Sequence, residues 1–314
     1  MTDRYAVVAA VDGSSNSRAA VRWAANEALR RGNNLFVVHI CEVVNAGLWT
    51  TPHLRADFQN ATRPIVDEAI ELARETVPGV TVNGQVLLGP TIRTLLALSG
   101  RAELIVLGRS GKGALAAHLV GSVTARLAAH AHCPVIVVPT PPSNGRHPRY
   151  RPRQVVVGVA DRPTGGVALQ FGIDEAVLHT TPLLAVRAWH GPSGLPLHPS
   201  SSPAHPAFHE DEERELLGHL LASHLPEHAP PIRSVPVVRA GLPAGVLSGI
   251  CHPEDLLVLG QHRHADFLPA TVGRVISDCL HQAPCPVAVV PEPVIEETEQ
   301  EQPRIAENAG LITY

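Results

Sequence analysis

The sequence has no hydrophobic run long enough to cross a membrane. Its longest apolar stretches, at residues 104–107 and 135–138, have the length of single strands, whereas a membrane-spanning helix needs about 20 apolar residues. Residues 1–5 lead almost directly into an apolar run and lack the features of a signal peptide. We therefore expect a cytoplasmic protein without a membrane partner.

Aromatic residues, cysteine and positive charge are also scarce. Aromatics make up 4% of the 314 residues, so the core has to be built from Val, Ile, Leu and Ala. Five cysteines without a C-x-x-C pair do not form the disulfide framework of a small secreted protein. The formal net charge of −4 argues against a general nucleic-acid binder, which needs a basic surface.

What the sequence does contain is an internal repeat of about 150 residues. Gly108 and Gly260 close the similar hexapeptides ELIVLG and DLLVLG and lie 152 positions apart. Cys133 and Cys285 open the similar heptapeptides CPVIVVP and CPVAVVP at the same spacing. A repeat of this length indicates a duplicated domain rather than a solenoid. The predicted units are domain 1 at 1–140, a linker at 141–153, domain 2 at 154–292 and a flexible acidic tail at 293–314.

Each half alternates strand-like apolar runs with helical patterns, which is typical of a parallel sheet with right-handed crossovers. Residues 6–11 are continuously apolar, as expected of a strand that is buried on both faces. We predict an α/β fold of two tandem, doubly wound, five-stranded parallel-sheet domains, packed as an intramolecular pseudo-dimer. In the first half the predicted strands are 6–11, 35–40, 80–88, 104–107 and 135–138, and the predicted helices are 18–31, 62–75, 91–99 and 122–131.

Glycines follow the fourth predicted strand in the pattern G-x2-G-x9-G-[ST], formed by Gly108, Gly111, Gly121 and Ser122. Glycine lets backbone N–H groups approach an anion closely, and a helix start offers free N–H groups and a favourable dipole. We predict Ser122 as the N-cap of the next helix. Asp12, at the end of the first strand, is placed to accept a hydrogen bond from a base or a ribose hydroxyl.

Each of these features also has a plain structural explanation. Gly108 could be a strand-to-loop turn, and Gly121 with Ser122 could be a helix start. Asp12 could be the cap of the first helix. The pattern is neither a Walker P-loop nor the G-x-G-x-x-G motif that follows a first strand. Its placement after a strand and before a helix nevertheless favours an anion site.

Short motifs mark the strand ends of the first half in a fixed order. They are VDGS at 11–14, VHI at 38–40, GP at 89–90, LGRSG at 107–111, GSVT at 121–124 and CPV at 133–135. In this order the chain resembles tandem universal stress proteins over residues 1–140 and 153–292. The resemblance implies a Rossmann-like sheet in each half, related to the adenine nucleotide alpha hydrolases. It also implies ATP as the ligand, with or without Mg²⁺.

Carried over position by position, the resemblance assigns nucleotide contacts to the strand ends of the first half. Asp12 would meet the adenosine end, with Ile40 beside the base. Gly108 and Gly111 would line the turn around the ribose and phosphates, and residues 121–124 would hold the phosphates. No catalytic residue and no metal ligand is predicted. The predicted binding residues are Ala10, Val11, Asp12, Ile40, Leu107, Gly108, Arg109, Gly111, Gly121, Ser122, Val123 and Thr124.

The second half departs from this pattern. Arg263 replaces the second glycine of the motif, and Arg274 replaces the serine. Ala160 aligns with the aspartate of the first half, although Asp161 follows it. Because Arg263 adds bulk where backbone should approach a phosphate, we expect this half to bind nucleotide weakly, differently or not at all. In the alternative, the two arginines contact phosphate directly.

The sequence therefore predicts a cytoplasmic universal stress protein whose first domain binds ATP as a regulatory switch in a stress response. No side chain stands out as a nucleophile or base, so slow ATP hydrolysis is the most that we expect of it as an enzyme. We expect homodimers and an unidentified regulatory protein partner. ADP, AMP and a cyclic nucleotide stay open as ligands. Two other functions also stay open: a nucleotide-independent interaction scaffold and an ATP-using, adenylating-type enzyme of related fold.

Overall fold

The computed structural model describes residues 5–42, 52–110, 120–139, 151–160, 164–189, 210–225, 232–261 and 272–292. Strands and helices alternate along both halves of the chain. The first half contains β1 (Tyr5–Ala10), α1 (Ser15–Arg30), β2 (Leu35–Cys41), α2 (Pro52–Thr76), β3 (Val82–Leu88), α3 (Thr91–Ser99), β4 (Ala102–Gly108), α4 (Ser122–His130) and β5 (Val135–Val138). The second half contains β6 (Val155–Gly158), α5 (Thr164–His179), β7 (Leu183–Trp189), α6 (Glu210–His224), β8 (Ser234–Ala240), α7 (Pro243–Ile250), β9 (Leu256–Gln261), α8 (Arg274–Gln282) and β10 (Val287–Pro291).

All of these strands belong to one sheet, in the order β3-β2-β1-β4-β5-β10-β9-β6-β7-β8. Every pairing within a half is parallel, and the two halves have the same strand order. The halves meet where β5 pairs with β10 in the antiparallel direction, with Ile136 opposite Ala288. The predicted α/β class, with five parallel strands per half, is confirmed.

The strands are buried on both faces because successive residues are apolar, rather than every second residue. Val7 lies in the core layer that packs against α1, α2, α5 and α6. Its neighbour Val8 lies in the opposite layer, against α3, α4, α7 and α8. Both side chains are fully buried. The sheet is therefore sandwiched between two layers of helices. Helices cover both of its faces, so the strand ends are the part of the sheet where a ligand could approach.

Two helices of the first half start earlier than predicted. Helix α1 begins at Ser15 because Ser14 caps it: the Ser14 Oγ accepts a hydrogen bond from the Ser17 N–H at 3.2 Å. Helix α2 begins at Pro52, whereas the prediction placed its start at residue 62. Its first turns lack a regular apolar stripe, and Pro64 lies inside the helix, where proline is disfavoured. Both features conceal the true start in the sequence.

Much of the predicted linker and the whole tail at 293–314 lie outside the described residues. At the end of the linker, the Arg151 guanidinium donates to the carbonyls of His179 at 2.9 Å and Thr180 at 2.8 Å. The chain therefore enters the second half in contact with the end of α5. The predicted domain boundaries stay predictions. In the part of the chain that the structure describes, no helix has the length and apolar character to cross a bilayer.

Two polar side chains tie the halves together beside the central strand pair. The buried guanidinium of Arg109 donates to the His281 carbonyl at 3.2 Å and to the Ala283 carbonyl. Burial lowers the pKa of Arg109. The Gln261 amide, at the end of β9, donates to the Ala129 carbonyl of α4. Each side chain leaves one half and bonds to the backbone of the other, which reinforces the strand pairing.

A buried charged cluster, which we name the junction cluster, lies between α1 and α5. Its members are Glu27 of α1, Arg31 at the C-cap of α1, and Glu175 and His179 of α5. The Arg31 Nε lies 2.7 Å from Glu27 Oε1, and the same guanidinium pairs with Glu175 and with Glu103. The His179 Nε2 lies 3.0 Å from Glu27 Oε2 and 3.4 Å from Glu175 Oε2. The cluster therefore links the two halves by charge.

Burial and neighbouring charges compete in the junction cluster. Burial alone would raise the pKa of Glu27, but hydrogen bonding to His179 and the charge of Arg31 outweigh it and lower that pKa. The pKa of Glu175 is raised, by burial and by the charge of Glu27. Burial would lower the pKa of His179, but the two glutamates, with oxygens 3.0 and 3.4 Å from its Nε2, outweigh burial and raise it.

Candidate nucleotide-binding site

The candidate site lies between β1 and β4, where the direction in which successive strands are added to the sheet reverses. β1 and β4 are neighbours, yet β2 and β3 extend the sheet from β1 and β5 extends it from β4. In open parallel sheets such a switch point leaves a crevice at the carboxyl ends of the two strands. Ala10 ends β1 and Gly108 ends β4. The predicted residues that follow the two strands therefore share this edge of the sheet.

Asp12 lies in the turn between β1 and α1. The preceding Val11 N–H donates to the Val38 carbonyl of β2 at 2.9 Å, which extends the strand contact by one residue. The partly buried Asp12 accepts a hydrogen bond at Oδ1 from the Ser14 N–H at 3.0 Å. Ser14 is the N-cap of α1. The alternative that Asp12 caps the first helix is therefore wrong, and its carboxylate instead braces the turn at the edge of the crevice.

The end of β2 is attached to the end of β1 by His39. Its Nδ1 lies 2.8 Å from the Val11 carbonyl oxygen, within hydrogen-bond distance. The next residue, Ile40, is partly buried against the core layer of α3 and α4. The sequence analysis singled out Ile40 and missed the positioning role of His39. A polar residue at the end of an otherwise apolar strand is the signal that could have found it.

The end of β4 is built around a close approach to α1. The side chain of Asn16, in the first turn of α1, donates from Nδ2 to the Ser110 carbonyl and to the Ser110 Oγ, each at 2.8 Å. A Cβ atom on Gly108 would lie 2.7 Å from the Asn16 Cβ and 2.8 Å from its backbone. The packing of α1 against the end of β4 therefore explains why residue 108 is a glycine. Asn16 is a second residue that the sequence analysis missed.

Gly108→Ala should lower the free energy of unfolding by about 1–3 kcal/mol, because overpacking against backbone atoms forces a shift. Gly121→Ala is the matched control. Its new Cβ would have its nearest neighbour at 3.7 Å, so we expect only the smaller cost of a poorer N-cap residue, about 0.5–1 kcal/mol. Urea unfolding followed by circular dichroism measures both. Equal stability of Gly108→Ala and the parent chain would contradict the close approach.

Helix α4 begins against the end of β4. Gly121 is its N-cap, with extended backbone angles, so the prediction of Ser122 as the N-cap is wrong by one residue. The Gly121 N–H donates to the Arg109 carbonyl at 3.0 Å, and the Thr124 Oγ1 donates to the Gly108 carbonyl at 3.2 Å. No side chain caps the helix start. The N–H groups of residues 122–124 occupy the first turn, where a helix has no internal acceptors for them.

Arg109 behaves differently from its neighbours. Its side chain bonds to the second half, as described above, and its N–H donates to the Val138 carbonyl at 2.9 Å. The carbonyl of Arg109 accepts the N–H of Gly121. The guanidinium is therefore engaged at the junction rather than free for a phosphate at the start of α4.

The structure brings the predicted residues of three strand ends and one helix start to the same edge of the sheet. Leu107 is buried beneath it, and Val123 is partly buried, so these two support the site rather than line it. Ser122 is exposed at the helix start. Gly111 lies outside the described residues. The arrangement offers backbone N–H donors for an anion beside an acidic side chain at the neighbouring strand end.

The comparisons with known proteins agree with this architecture. A family model described as the universal stress protein family matches residues 5–139 and again residues 152–291. The chain belongs to the universal stress protein family. The universal stress protein Rv1996 of Mycobacterium tuberculosis is 32% identical over 309 residues, which cover 91% of this chain and 95% of the relative. Rv2005c of the same organism is 33% identical over 296 residues, which cover 91% and 97%.

A solved structure extends the likeness to the fold of the whole chain. The crystal structure of a universal stress protein from Archaeoglobus fulgidus matches with a TM-score of 0.65 at 14% identity. The match covers 91% of this chain and 96% of that one. At this identity the likeness concerns the arrangement of helices and strands, and the site has to be argued from the residues themselves.

The second half of this universal stress protein keeps the helix start but changes its residues. Gly273 is the N-cap of α8, again without a side-chain cap. Arg274 follows it with a side chain that is 94% exposed and 3.8 Å from Asp278 in the same helix. At the end of β6, Ala160 is exposed and carries no carboxylate. Arg263 and Asp161 lie outside the described residues, so the predicted weakness of this half stays a prediction.

Proposed function

We propose that this universal stress protein binds ATP at the candidate site of its first half, and that the nucleotide acts as a regulatory switch. The observation that carries the proposal is the start of α4. Its first turn lacks a side-chain cap, and hydrogen bonds from Gly121 and Thr124 hold it against the end of β4. Backbone N–H groups and the helix dipole favour phosphate at such a point.

The remaining predicted residues fit the other parts of the nucleotide. The Ser122 hydroxyl is exposed next to the N–H groups that would hold the phosphates. Asp12 and Ile40 lie at the ends of the two adjacent strands, where the adenosine part would extend. Asp12 already accepts the Ser14 N–H, which favours a binding role over that of a general base. Any Mg²⁺ would be held mainly by the phosphates and water.

The switch part of the proposal rests on a physical link from the site to the second half. The Val120 N–H, next to the N-cap of α4, lies 3.4 Å from the His281 Nε2 of α8. The His281 carbonyl in turn accepts the Arg109 guanidinium from the end of β4. A nucleotide that shifts the start of α4 would therefore act directly on α8, and a difference in affinity between two states is what drives a switch.

The test uses the purified full-length chain. Any nucleotide released on denaturation is identified by chromatography, and ATP is then titrated into nucleotide-free protein by calorimetry. We expect one ATP per chain. Two per chain would show that both halves are sites and that Arg263 and Arg274 do not prevent binding. No released nucleotide, together with no binding at millimolar ATP, would overturn the proposal and favour the interaction scaffold.

An adenylating enzyme would need room for a second substrate beside the nucleotide. It would also need a side chain that activates that substrate, and Asp12, the acid at the end of β1, is already engaged by the Ser14 N–H at 3.0 Å. We therefore prefer a binding function, with slow ATP hydrolysis as the most that is expected. The cytoplasmic location, the homodimer and the regulatory protein partner stay predictions.

A further inference from the structure

The junction cluster presents three potential metal ligands at one point between the two halves. One ligand atom from each of Glu27, Glu175 and His179 lies within 4.8 Å of the other two. The His179 Nε2 is in contact with the Oε2 atom of each glutamate. The distances from His179 Nε2 to the two oxygens are 3.0 and 3.4 Å. All three side chains are 0–2% exposed. Ligand atoms of a four-coordinate metal ion are separated by similar distances when its bonds are about 2.0–2.2 Å long.

Arg31 orients both carboxylates towards this point. Its Nε bonds Glu27 Oε1 at 2.7 Å, and its Nη2 bonds Glu175 Oε1. Each glutamate therefore uses one oxygen for the guanidinium and turns the other towards His179. Metal-ligating carboxylates are commonly held in this way by a hydrogen bond to the oxygen that does not ligate.

Hydrogen bonding alone does not satisfy the three ligand atoms. The His179 Nε2 carries at most one proton, and its shorter contact is to Glu27. The buried Glu175 Oε2 has no hydrogen-bond partner. An unsatisfied buried carboxylate oxygen is costly, and a cation placed between the three atoms would contact all of them at once.

The charges of the cluster also favour a divalent cation. Glu27, Glu175 and Glu103 all contact Arg31, so three carboxylates surround one guanidinium. Glu103 is 43% exposed, so the buried part of the cluster sets two carboxylates against one guanidinium. A bound metal ion displaces the proton of His179. With that imidazole neutral, the buried groups carry one excess negative charge and the exposed Glu103 adds a second. One divalent cation makes them neutral, and buried charges are tolerated when they are compensated.

We propose that the junction cluster binds a divalent transition-metal ion through Glu27, Glu175 and His179, and that this ion fastens the two halves together. Two carboxylates and one imidazole suit Zn²⁺, and Mn²⁺ or Fe²⁺ less tightly. A water molecule would complete the coordination. Because the ligands come from both halves, the ion binds only the assembled fold, and its binding energy adds to stability.

The repeat explains why the sequence did not reveal this site. Glu27 and Glu175 are 148 positions apart, and so are Arg31 and His179. Each half therefore contributes one Glu-x3-basic pair from the equivalent helix. The change from arginine to histidine in the second half replaces a cation by a ligand. The proposal therefore departs from the expectation that the chain has no metal ligand.

The test measures zinc in the nucleotide-free full-length chain by mass spectrometry, after incubation with zinc chloride and desalting. We expect one zinc per chain. In His179→Gln and Glu175→Gln, which each lose a direct ligand, the affinity should fall by more than the roughly 10- to 100-fold that loss of an outer-shell partner costs. His252→Gln, at an exposed histidine outside the cluster, should bind zinc as the parent does. Zinc should also raise the melting temperature of the parent, and a chelator should reverse the rise.

A variant that gains a spectroscopic signal keeps the test valid even if the other variants fail to fold. His179→Cys supplies a thiolate at the same position, so its cobalt complex should show a thiolate-to-cobalt charge-transfer band that the parent lacks. Zinc should abolish that band by displacement. A parent chain that retains no zinc, or a folded His179→Gln chain that retains as much as the parent, would overturn the proposal.

Discussion

Gly121→Asp should weaken ATP binding by about 100-fold or more, because it places a carboxylate at the helix start proposed to hold the phosphates. Like charges brought together at a binding site cost several kcal/mol. The fold should survive, since a Cβ at Gly121 has its nearest neighbours at 3.7–3.8 Å. Calorimetric titration of ATP into the purified variant measures the loss.

Gly273→Asp is the matched control for this experiment. Gly273 is the N-cap of α8 at the equivalent place, and a Cβ there has no neighbour within 4 Å. We expect its ATP affinity and stoichiometry to equal those of the parent. Undiminished binding by Gly121→Asp would remove the start of α4 from the site. A loss in both variants would indicate that both halves bind.

Arg31→Met should destabilise the metal-free chain by about 3–5 kcal/mol, the usual result of removing one partner from a buried ion pair. The substitution leaves Glu27 and Glu175 buried against each other with His179 as their remaining cationic partner. Methionine retains most of the volume of the arginine stem. Chemical unfolding in the presence of a chelator measures the loss.

Arg18→Met provides the comparison on the protein surface. Arg18 pairs with Glu68 at 2.8 Å, and the two side chains are 50% and 55% exposed. Exposed pairs of this kind contribute about 0–1 kcal/mol. Similar losses in the two variants would mean that Arg31 is no more important than an ordinary surface charge, and that the junction cluster does not hold the halves together.

Much of the fold could be predicted because its information is local. Continuous apolar runs such as those of β1 and β4 mark strands buried on both faces, and the alternation with helices restricts the sheet to parallel pairing. The pairing of β5 with β10 is different. It joins two short strands from separate halves, and the sequence of neither strand indicates which other strand will pair with it. The early start of α2 was hidden by weak periodicity.

The candidate site divides in the same way. The sequence was sufficient to predict Gly108, Gly121 and Asp12 as site residues, because backbone geometry limits which residues can follow a strand. The partners of Asn16, His39 and Arg109 are not readable, since each bonds a residue that only the folded chain brings near. The junction cluster is the extreme case, with ligands on helices from both halves.

The junction cluster has a consequence for how the two halves can evolve. A homodimer of identical chains must place the same residue on both sides of its two-fold axis. Fusion of two copies into one chain removes that constraint, and here His179 occupies the position in the second half that Arg31 occupies in the first, 148 residues earlier. A substitution on one side changes one position rather than two. Covalent duplication therefore allows different side chains at equivalent positions of a pseudo-symmetric interface. A dimer of identical single-domain chains cannot have this arrangement.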